Sequence, residues 1–131
     1  MKYLLDTDIC IYVINARPKR VLDRFRKQTV GDLGISSITA SELAFGVAKS
    51  GSAKNRSALE GFMLPLEVAQ YDLRAALIYG EMRAGLERRG TVIGPLDMLI
   101  AAHALSLGAT LVTNNDKEFR RVPALHCENW A

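Results

Sequence analysis

Near its start the chain reads Lys2-Tyr3-Leu4-Leu5-Asp6-Thr7-Asp8, a short apolar run that stops at two acids. Residues 2–5 have the character of a buried strand, because a parallel strand covered on both faces is apolar at every position. Asp6 then stands at the carboxyl end of a strand that should be central, where a carboxylate excluded from water needs a partner. The pattern predicts a parallel sheet with a functional acid at its edge.

Strand and helix patterns alternate along the rest of the chain, without repeats or low-complexity segments. Such alternation predicts a parallel sheet with helices on both faces. We therefore expect an α/β protein with a single three-layer α/β/α domain over residues 1–131, a common domain size. The expected strands are 2–5, 33–36, 66–68, 110–113 and 125–127, and the expected helices are 8–14, 18–27, 39–49, 54–63, 72–89 and 96–107.

The longest helical pattern, over residues 72–89, carries small and apolar residues at helical spacing. They are Leu73, Ala76, Leu77, Gly80 and Ala84, which fall at i, i+3, i+4, i+7 and i+11. This spacing places them on one side of a helix. We expect that side to be buried against the rest of the domain.

The composition, with 49% hydrophobic and 24% charged residues, is that of an ordinary globular protein and excludes a disordered chain. No apolar run reaches the roughly 18 residues that a membrane-spanning helix needs. Two acids interrupt the start of the chain where a signal peptide requires continuous apolar residues, which predicts a cytoplasmic protein. Cys10 and Cys127 lie far apart and fit no zinc-binding spacing, so we expect both to be reduced thiols.

Carboxylate and amide side chains follow several expected strands or open the helices behind them. Because the carboxyl ends of parallel strands meet at one edge of the sheet, these side chains can converge there. Carboxylates about 5 Å apart repel by about 3 kcal/mol per pair at an effective dielectric near 20, and a divalent cation removes that penalty. Oxygen ligands without His or Cys suit Mg²⁺ or Mn²⁺. The residues are Asp6 and Asp8 after the first strand, Glu42 and Asp97 in first helical turns, and Asn115, Asp116 and Glu118 after the strand at 110–113.

Most of these residues also have a purely structural interpretation, and spacing alone leaves both open. Asp8 fits the N-cap of the first helix, and Glu42 fits the third position of a capping box that begins at Thr39. Asp97 suits a helix N-terminus, where a negative charge interacts favourably with the helix dipole. Asp116, in an Asn-Asn-Asp cluster, suits a turn.

Basic residues outnumber acidic ones by 17 to 14, which gives a formal net charge of +3. Six of them crowd residues 17–27, and another group lies at residues 83, 88 and 89. Each group is compatible with a solvated helix face or with a surface that contacts phosphates. The histidines lie outside the acidic segments, and His103, in a very apolar helix, is expected to pack in the core.

Four segments carry the candidate residues: LLDTD at 4–8, SSITASEL at 36–43, GPLDMLIAAHA at 94–104 and LVTNNDKEF at 111–119. In this order and spacing they resemble the PIN-domain ribonucleases, and most closely the VapC toxins of bacterial VapBC toxin–antitoxin pairs. No single segment is decisive, but four in register are specific. The resemblance covers essentially the whole chain and implies a PIN-like α/β/α fold with a central parallel sheet.

The resemblance implies an endoribonuclease that depends on Mg²⁺ or Mn²⁺. The first-strand aspartate of the family, a metal ligand, falls on Asp6, the helix glutamate on Glu42, and the second essential aspartate on Asp97. The fourth acidic position falls on Asn115, a departure from the commoner aspartate. Either Asn115 or its neighbour Asp116 is therefore expected to complete the catalytic site, and the number of metal ions stays open.

The implied reaction is metal-assisted hydrolysis of an RNA phosphodiester, without a covalent intermediate. Asp6 and Asp97 would hold the cation, and Glu42 would help directly or through water. Thr113 would support the site by a hydrogen bond to a ligand carboxylate or to water. The products expected from the resemblance carry 5′-phosphate and 3′-hydroxyl ends.

The resemblance also implies partners. VapC toxins usually cut structured RNA, often tRNA, and halt translation. They commonly form homodimers, and a cognate VapB-like antitoxin inserts a segment that blocks the acidic pocket. Two other functions stay open: a non-catalytic RNA-binding protein on the same fold, and a haloacid-dehalogenase-like phosphatase with Asp6 as nucleophile. The phosphatase family has Thr or Val where this chain has Cys10.

Overall fold

The first strand lies at the centre of a five-stranded, all-parallel sheet in the computed structural model, which describes residues 1–131. The strands are β1 (Tyr3–Leu5), β2 (Leu33–Ser36), β3 (Glu67–Ala69), β4 (Thr110–Val112) and β5 (Cys127–Glu128), in the spatial order β3-β2-β1-β4-β5. β1 pairs with β2 on one side and with β4 on the other. The order of the strands therefore reverses at β1, and a crevice opens there at the carboxyl edge.

Helices cover both faces of this sheet. They are α1 (Thr7–Ile14), α2 (Lys19–Arg26), α3 (Ser37–Ser50), α4 (Ala53–Met63), α5 (Leu73–Arg89), α6 (Pro95–Leu107) and α7 (Asp116–Phe119), with a 3-10 turn at Val30–Asp32. α1 to α4 pack on one face and α5 to α7 on the other, which confirms the expected three-layer α/β/α fold. No helix combines the length and the apolar character that crossing a membrane requires.

Alternate side chains of the central strands enter two separate hydrophobic cores. Tyr3 and Leu5 face the α1–α4 side, whereas Leu4 faces α5 and α6. In β4, Val112 and Leu111 divide in the same way. Burying each such side chain contributes about 1.5–3 kcal/mol. β1 is thus fixed from both faces, which holds the following residue at the carboxyl edge.

The first helix begins one residue earlier than expected. Asp6 is its N-cap, and one carboxylate oxygen of Asp6 accepts a hydrogen bond of 2.9 Å from the Thr7 backbone N–H. The prediction that Asp8 caps this helix is therefore wrong, and Asp8 lies in the first turn. Asp6 combines a structural role at the helix start with its position at the strand end.

The third helix also begins earlier, with Ser36 as its N-cap. The Ser36 hydroxyl accepts a hydrogen bond of 3.0 Å from the Ile38 backbone N–H. Thr39 consequently lies inside the helix, and the predicted capping box of Thr39 and Glu42 is wrong. The Glu42 carboxylate is thereby left available for contacts outside its own helix.

The apolar side of α5 is exposed, contrary to the expectation from its spacing. Leu73 and Leu77 are 73% and 65% exposed. The helix buries Ala75, Gly85 and Leu86 instead, on a different side. The exposed apolar residues, which we call the α5 strip, are Leu73, Ala76, Leu77 and Gly80.

Trp130 closes the core on the α1–α4 side. It is 2% exposed, and its ring meets Tyr3 edge to face with ring centroids 5.2 Å apart. The indole N–H donates a hydrogen bond of 3.0 Å to Glu128, and the guanidinium of Arg24 binds the same carboxylate oxygen at 3.1 Å. The segment after β5 is therefore held by both burial and polar contacts.

Replacing Trp130→Ala is expected to lower the free energy of unfolding by about 3–5 kcal/mol, because the change leaves a large cavity beside Tyr3. Denaturant titration measures the loss. Leu64→Ala is the matched control, since Leu64 is 87% exposed, and it is expected to change the value by less than about 0.5 kcal/mol. Equal effects of the two substitutions would contradict the assignment of Trp130 to the core.

Candidate active site

A cavity of about 300 Å³ opens at the carboxyl edge beside β1. We call it the acidic pit. Four segments of the chain meet there: the start of α1, the first half of α3, the start of α6, and the loop after β4. Its lining residues are Asp6, Thr7, Asp8, Ile11, Glu42, Asp97 and Asn115.

Asp6 is the most buried acid of the pit, with 6% exposure. Its second carboxylate oxygen accepts a hydrogen bond of 2.7 Å from the Thr113 hydroxyl, which is itself fully buried. Burial, followed by repulsion from Asp8, raises the pKa of Asp6 to about 7, against the opposing effect of the hydrogen bonds from Thr113 and Thr7. A positive charge in the pit would therefore stabilise the ionised carboxylate.

Glu42 is oriented by a residue to which sequence analysis gave no role. The Thr7 hydroxyl donates a hydrogen bond of 2.8 Å to a carboxylate oxygen of Glu42, which joins the start of α1 to α3. The signal in the sequence was the position of Thr7 between Asp6 and Asp8, directly after the strand. Thr7 thus holds Glu42 at the rim of the pit.

Asp97 carries a second raised pKa. Burial is the main cause, followed by the negative charges of Glu118, Glu42 and Asp8, and the pKa of Asp97 reaches about 6. Asp97 lies in the first turn of α6, where the helix dipole stabilises its negative charge, and it also lines the pit. The structural and the functional interpretation of Asp97 are therefore compatible. The repulsion among these acids shows that the pit concentrates negative charge.

Glu118, one of the acids expected to converge at this edge of the sheet, lies close enough to Asp97 to raise its pKa. Its carboxylate accepts hydrogen bonds from the Gly94 backbone N–H at 2.8 Å and from the Asn115 amide at 2.9 Å, and these bonds lower the pKa of Glu118. A side chain at residue 94 would contact the carboxylates of Asp97 and Glu118, within 4 Å of both. Glu118 therefore keeps its negative charge next to the pit.

The structure separates the two candidates for the fourth position. Asn115 lines the pit, and its backbone N–H donates to the Thr113 hydroxyl at 3.0 Å. Asp116 lies outside the pit, where it forms an ion pair of 2.8 Å with Arg120 and accepts a hydrogen bond from Asn129. Asp6, Glu42, Asp97 and Asn115 are brought together, and Asp116 is not.

A buried polar contact joins the helices that carry Glu42 and Asp97. The hydroxyl of Ser36, the N-cap of α3, lies 2.7 Å from Nδ1 of His103 in α6. His103 is 1% exposed, and burial lowers the pKa of its ring. His103 thus packs in the interior and fixes the start of α3 against α6.

The donor set of the pit fits a hard divalent cation. Its ionisable groups are all carboxylates, which suits Mg²⁺ or Mn²⁺, and burial followed by repulsion from neighbouring acids raises the pKa values of Asp6 and Asp97. No three of the acids converge closely enough to form a ready-made coordination shell. A cation in the pit would therefore be held by one or two carboxylates and by water molecules, as is usual for Mg²⁺.

Comparison with known proteins places the chain in a family. The PIN domain matches residues 3–125. The tRNA(fMet)-specific endonuclease VapC of Salmonella typhimurium is 44% identical over 131 residues, which cover 99% of this chain and 98% of that protein. The chain belongs to the VapC ribonucleases of the PIN-domain family. Ribonuclease VapC2 of Rickettsia felis is likewise 44% identical over 132 residues, with 99% and 98% covered.

Solved structures agree with the VapC assignment. The DNA-bound VapBC of Salmonella typhimurium superposes with a TM-score of 0.92 at 43% identity, covering 100% of this chain and 99% of that chain. VapBC2 of Rickettsia felis, bound to a DNA fragment from its promoter, gives a TM-score of 0.90 at 42% identity with both chains fully covered. The resemblance found in the four sequence segments is thus confirmed.

Asp6→Asn is expected to stabilise the metal-free protein at neutral pH. Because the pKa of Asp6 rises from 3.8 to about 7 on folding, ionisation of Asp6 opposes folding. This penalty is absent below about pH 4, grows as the pH rises, and is complete above about pH 7. The variant should gain up to about 4 kcal/mol at pH 8, measured by thermal unfolding with a chelator between pH 4 and 8.

The exposed Glu60→Gln on α4 is the control for loss of one negative charge. A variant at position 6 that unfolds more easily than the wild type at pH 8 would contradict the destabilising effect of the ionised Asp6 carboxylate.

Proposed function

We propose that this VapC-type protein is an endoribonuclease toxin that hydrolyses phosphodiester bonds in structured RNA and so inhibits translation in the bacterial cytoplasm. The acidic pit carries the proposal, because it gathers Asp6, Glu42 and Asp97 from three distant segments. The substrate class that we propose is tRNA. It is supported by the Salmonella relative, whose name describes a tRNA(fMet)-specific endonuclease.

The cofactor that we propose is Mg²⁺, with Mn²⁺ as a substitute. Asp6 and Asp97 would hold the cation, and Glu42 would contribute directly or through a water molecule. When bound, such a cation lowers the pKa of water and stabilises negative charge on a phosphoryl oxygen. The support is the set of oxygen donors, together with the burial and then the repulsion from neighbouring acids that raise the pKa values of Asp6 and Asp97.

Neighbouring hydroxyl groups keep the carboxylates oriented during the reaction. Thr113 and the Thr7 backbone N–H occupy both oxygens of Asp6, and the Thr7 hydroxyl holds Glu42. A carboxylate fixed in this way is suited to ligand binding more than to nucleophilic attack. We therefore assign hydrolysis to direct in-line attack by water on the phosphate, with no covalent intermediate on the protein.

Asn115 is proposed to complete the site in place of Asp116. Asn115 reaches the pit and is held by Thr113 and Glu118, whereas Asp116 is engaged by Arg120. Glu118 contributes as a positioning residue, because its carboxylate fixes both the Asn115 amide and the turn before α6.

The purified protein is expected to cleave tRNA in Mg²⁺ or Mn²⁺ and to stop when the cation is chelated. Asp6→Asn and Asp97→Asn should each reduce the rate by at least about a hundredfold while the fold is retained, since each removes a charge from the pit. Glu60→Gln is the control for a lost surface charge. Gel analysis of end-labelled tRNA gives the rate.

Three results would each overturn part of the proposal. Cleavage that survives chelation would reject the metal, and RNA binding without metal-dependent cleavage would identify a non-catalytic RNA-binding protein. A phosphorylated Asp6 would identify a phosphatase.

An apolar groove beside the pit supports a cognate VapB-like antitoxin as a partner. The groove has a volume of about 310 Å³ and lies between α1, α3 and α4. Its apolar residues include Ile14, Leu43, Val47 and Leu59. We propose that a segment of the antitoxin packs there and covers the pit, since Thr7, Ile11 and Glu42 line both cavities. The VapBC structures similar to this chain are consistent with such a partner.

The α5 strip supports a homodimer. Its leucines are exposed on the longest helix, and no other part of the chain covers them. Exposed apolar residues that lie together on one helix face are typical of an interface. We propose that a second copy of the chain packs on this strip.

Leu77→Glu is expected to convert a dimer into a monomer, because it places a charge in the proposed interface. Sedimentation velocity at micromolar concentration should show that the dissociation constant of the dimer rises by about tenfold or more. Leu64→Glu, at another exposed leucine, is the control. A wild-type protein that is monomeric throughout, or equal behaviour of both variants, would reject the strip as the dimer surface.

A further inference from the structure

Three arginines just before and along α2, Arg17, Arg20 and Arg24, are exposed, and we call them the basic ridge. The opposite side of α2 is anchored, since Val21 is buried and Leu22 packs against the same core. Arg20 and Arg24 are four residues apart in the helix and therefore share one face. The ridge thus presents several positive charges from a fixed element.

A path of hydrogen bonds leads from this ridge to the acidic pit. The Arg17 backbone N–H donates to the Tyr12 carbonyl at 3.0 Å, and the Tyr12 hydroxyl accepts a hydrogen bond of 3.1 Å from Asn114. The Asn114 backbone N–H in turn donates to Asp8 at 3.1 Å. Two residues, Tyr12 and Asn114, therefore connect the ridge to an acid of the pit.

Arg24 is connected to the pit along a second path. Its guanidinium binds the Glu128 carboxylate at 3.1 Å and lies over the Trp130 ring. The backbone carbonyl of Glu128 accepts a hydrogen bond from the Thr113 N–H at 2.9 Å, and the Thr113 hydroxyl holds Asp6. The ridge is therefore tied to the same strand end as the catalytic acids.

Most of the positive charge of the ridge is free for a ligand. The structure contains three ion pairs, and the basic members are Arg24, Arg83 and Arg120. Arg17 and Arg20 have no acidic partner. Arginines without a partner, on a segment linked by hydrogen bonds to a pit that repels phosphate, are suited to bind the backbone of a nucleic acid.

Two basic residues at the end of α2 that point away from the ridge provide an internal comparison. Arg26 lines a small cavity with Leu33 and Leu66. Leu33 begins β2 and Leu66 directly precedes β3, so these residues mark the amino edge of the sheet, opposite the pit. Arg26 and its exposed neighbour Lys27 therefore carry the same two positive charges at the amino edge of the sheet, away from the pit.

We propose that the basic ridge binds phosphate groups of the RNA strand that enters the acidic pit. The inference rests on the proposed function, since it assumes an RNA substrate. The carboxylates of the pit repel the RNA backbone, and binding energy has to come from cations outside the pit. The arginines of the ridge supply these cations on the β5 side of the pit. When they bind one part of the RNA backbone, a neighbouring phosphodiester lies over Asp6 and Asp97.

The test compares two double variants that each remove two charges, Arg17→Gln with Arg20→Gln and Arg26→Gln with Lys27→Gln. Both are built in an Asp6→Asn background, which prevents cleavage. Binding of fluorescently labelled bulk tRNA is then measured at salt concentrations from about 50 to about 200 mM. The ridge variant is expected to bind about tenfold more weakly. Its log–log salt slope should fall by about 1.5–2, because two phosphate contacts are lost. The Arg26 and Lys27 variant should stay within about twofold of its parent.

The outcomes separate the ridge from the proposed function. Metal-dependent cleavage of the same tRNA by the wild-type protein tests the function alone. If that cleavage occurs and the two double variants bind tRNA equally well, or lose affinity equally, the ridge is rejected and the function stands. If the protein neither binds nor cleaves RNA, both are rejected. Melting temperatures of the two variants close to that of the parent exclude loss of folding as the cause.

Discussion

The buried carboxylate of Asp6 at the end of the central strand is the constraint on which the rest of the structure depends. It is placed there by apolar residues that fix β1 from both faces, and it is surrounded by other acids at the point where the strand order reverses. A charge in this position destabilises the fold unless donors or a cation offset it. The Thr113 hydroxyl and the start of α1 supply the donors. The negative charge that these donors do not offset is what the site offers to a cation.

The helices are arranged around this requirement. Thr7 couples α1 to Glu42 of α3, and the contact of Ser36 with His103 couples the start of α3 to α6. The three segments that bear the acids are thus joined by polar contacts inside the fold as well as by packing. Distances within the pit depend on these contacts, because they hold the segments that carry the carboxylates against one another.

The sequence was sufficient where the information is local. The apolar run before Asp6 and the alternation of elements predicted the parallel three-layer fold, and four short segments predicted which acids meet. The sequence was insufficient where a helix start or a side-chain partner depends on residues far apart in the chain. Ser36 and Thr39 are both suitable N-caps, and the contact of Ser36 with His103, far along the chain, leaves no local signal in the sequence. The partners Thr7 and Glu42, 35 residues apart, and Gly94 and Glu118, 24 apart, have no signature in spacing. For the α5 strip, the periodicity identified an apolar face but not what covers it.

The wall that separates the apolar groove from the pit is shared, since Thr7, Ile11 and Glu42 line both. A peptide that fills the groove touches the very pair whose hydrogen bond orients Glu42. A peptide bound in the groove would inhibit such an enzyme directly, without a conformational change elsewhere, because the peptide and the substrate compete for Thr7 and Glu42. Escape from an inhibitor by substitution in the groove is correspondingly restricted, since changes at the shared wall also damage the enzyme.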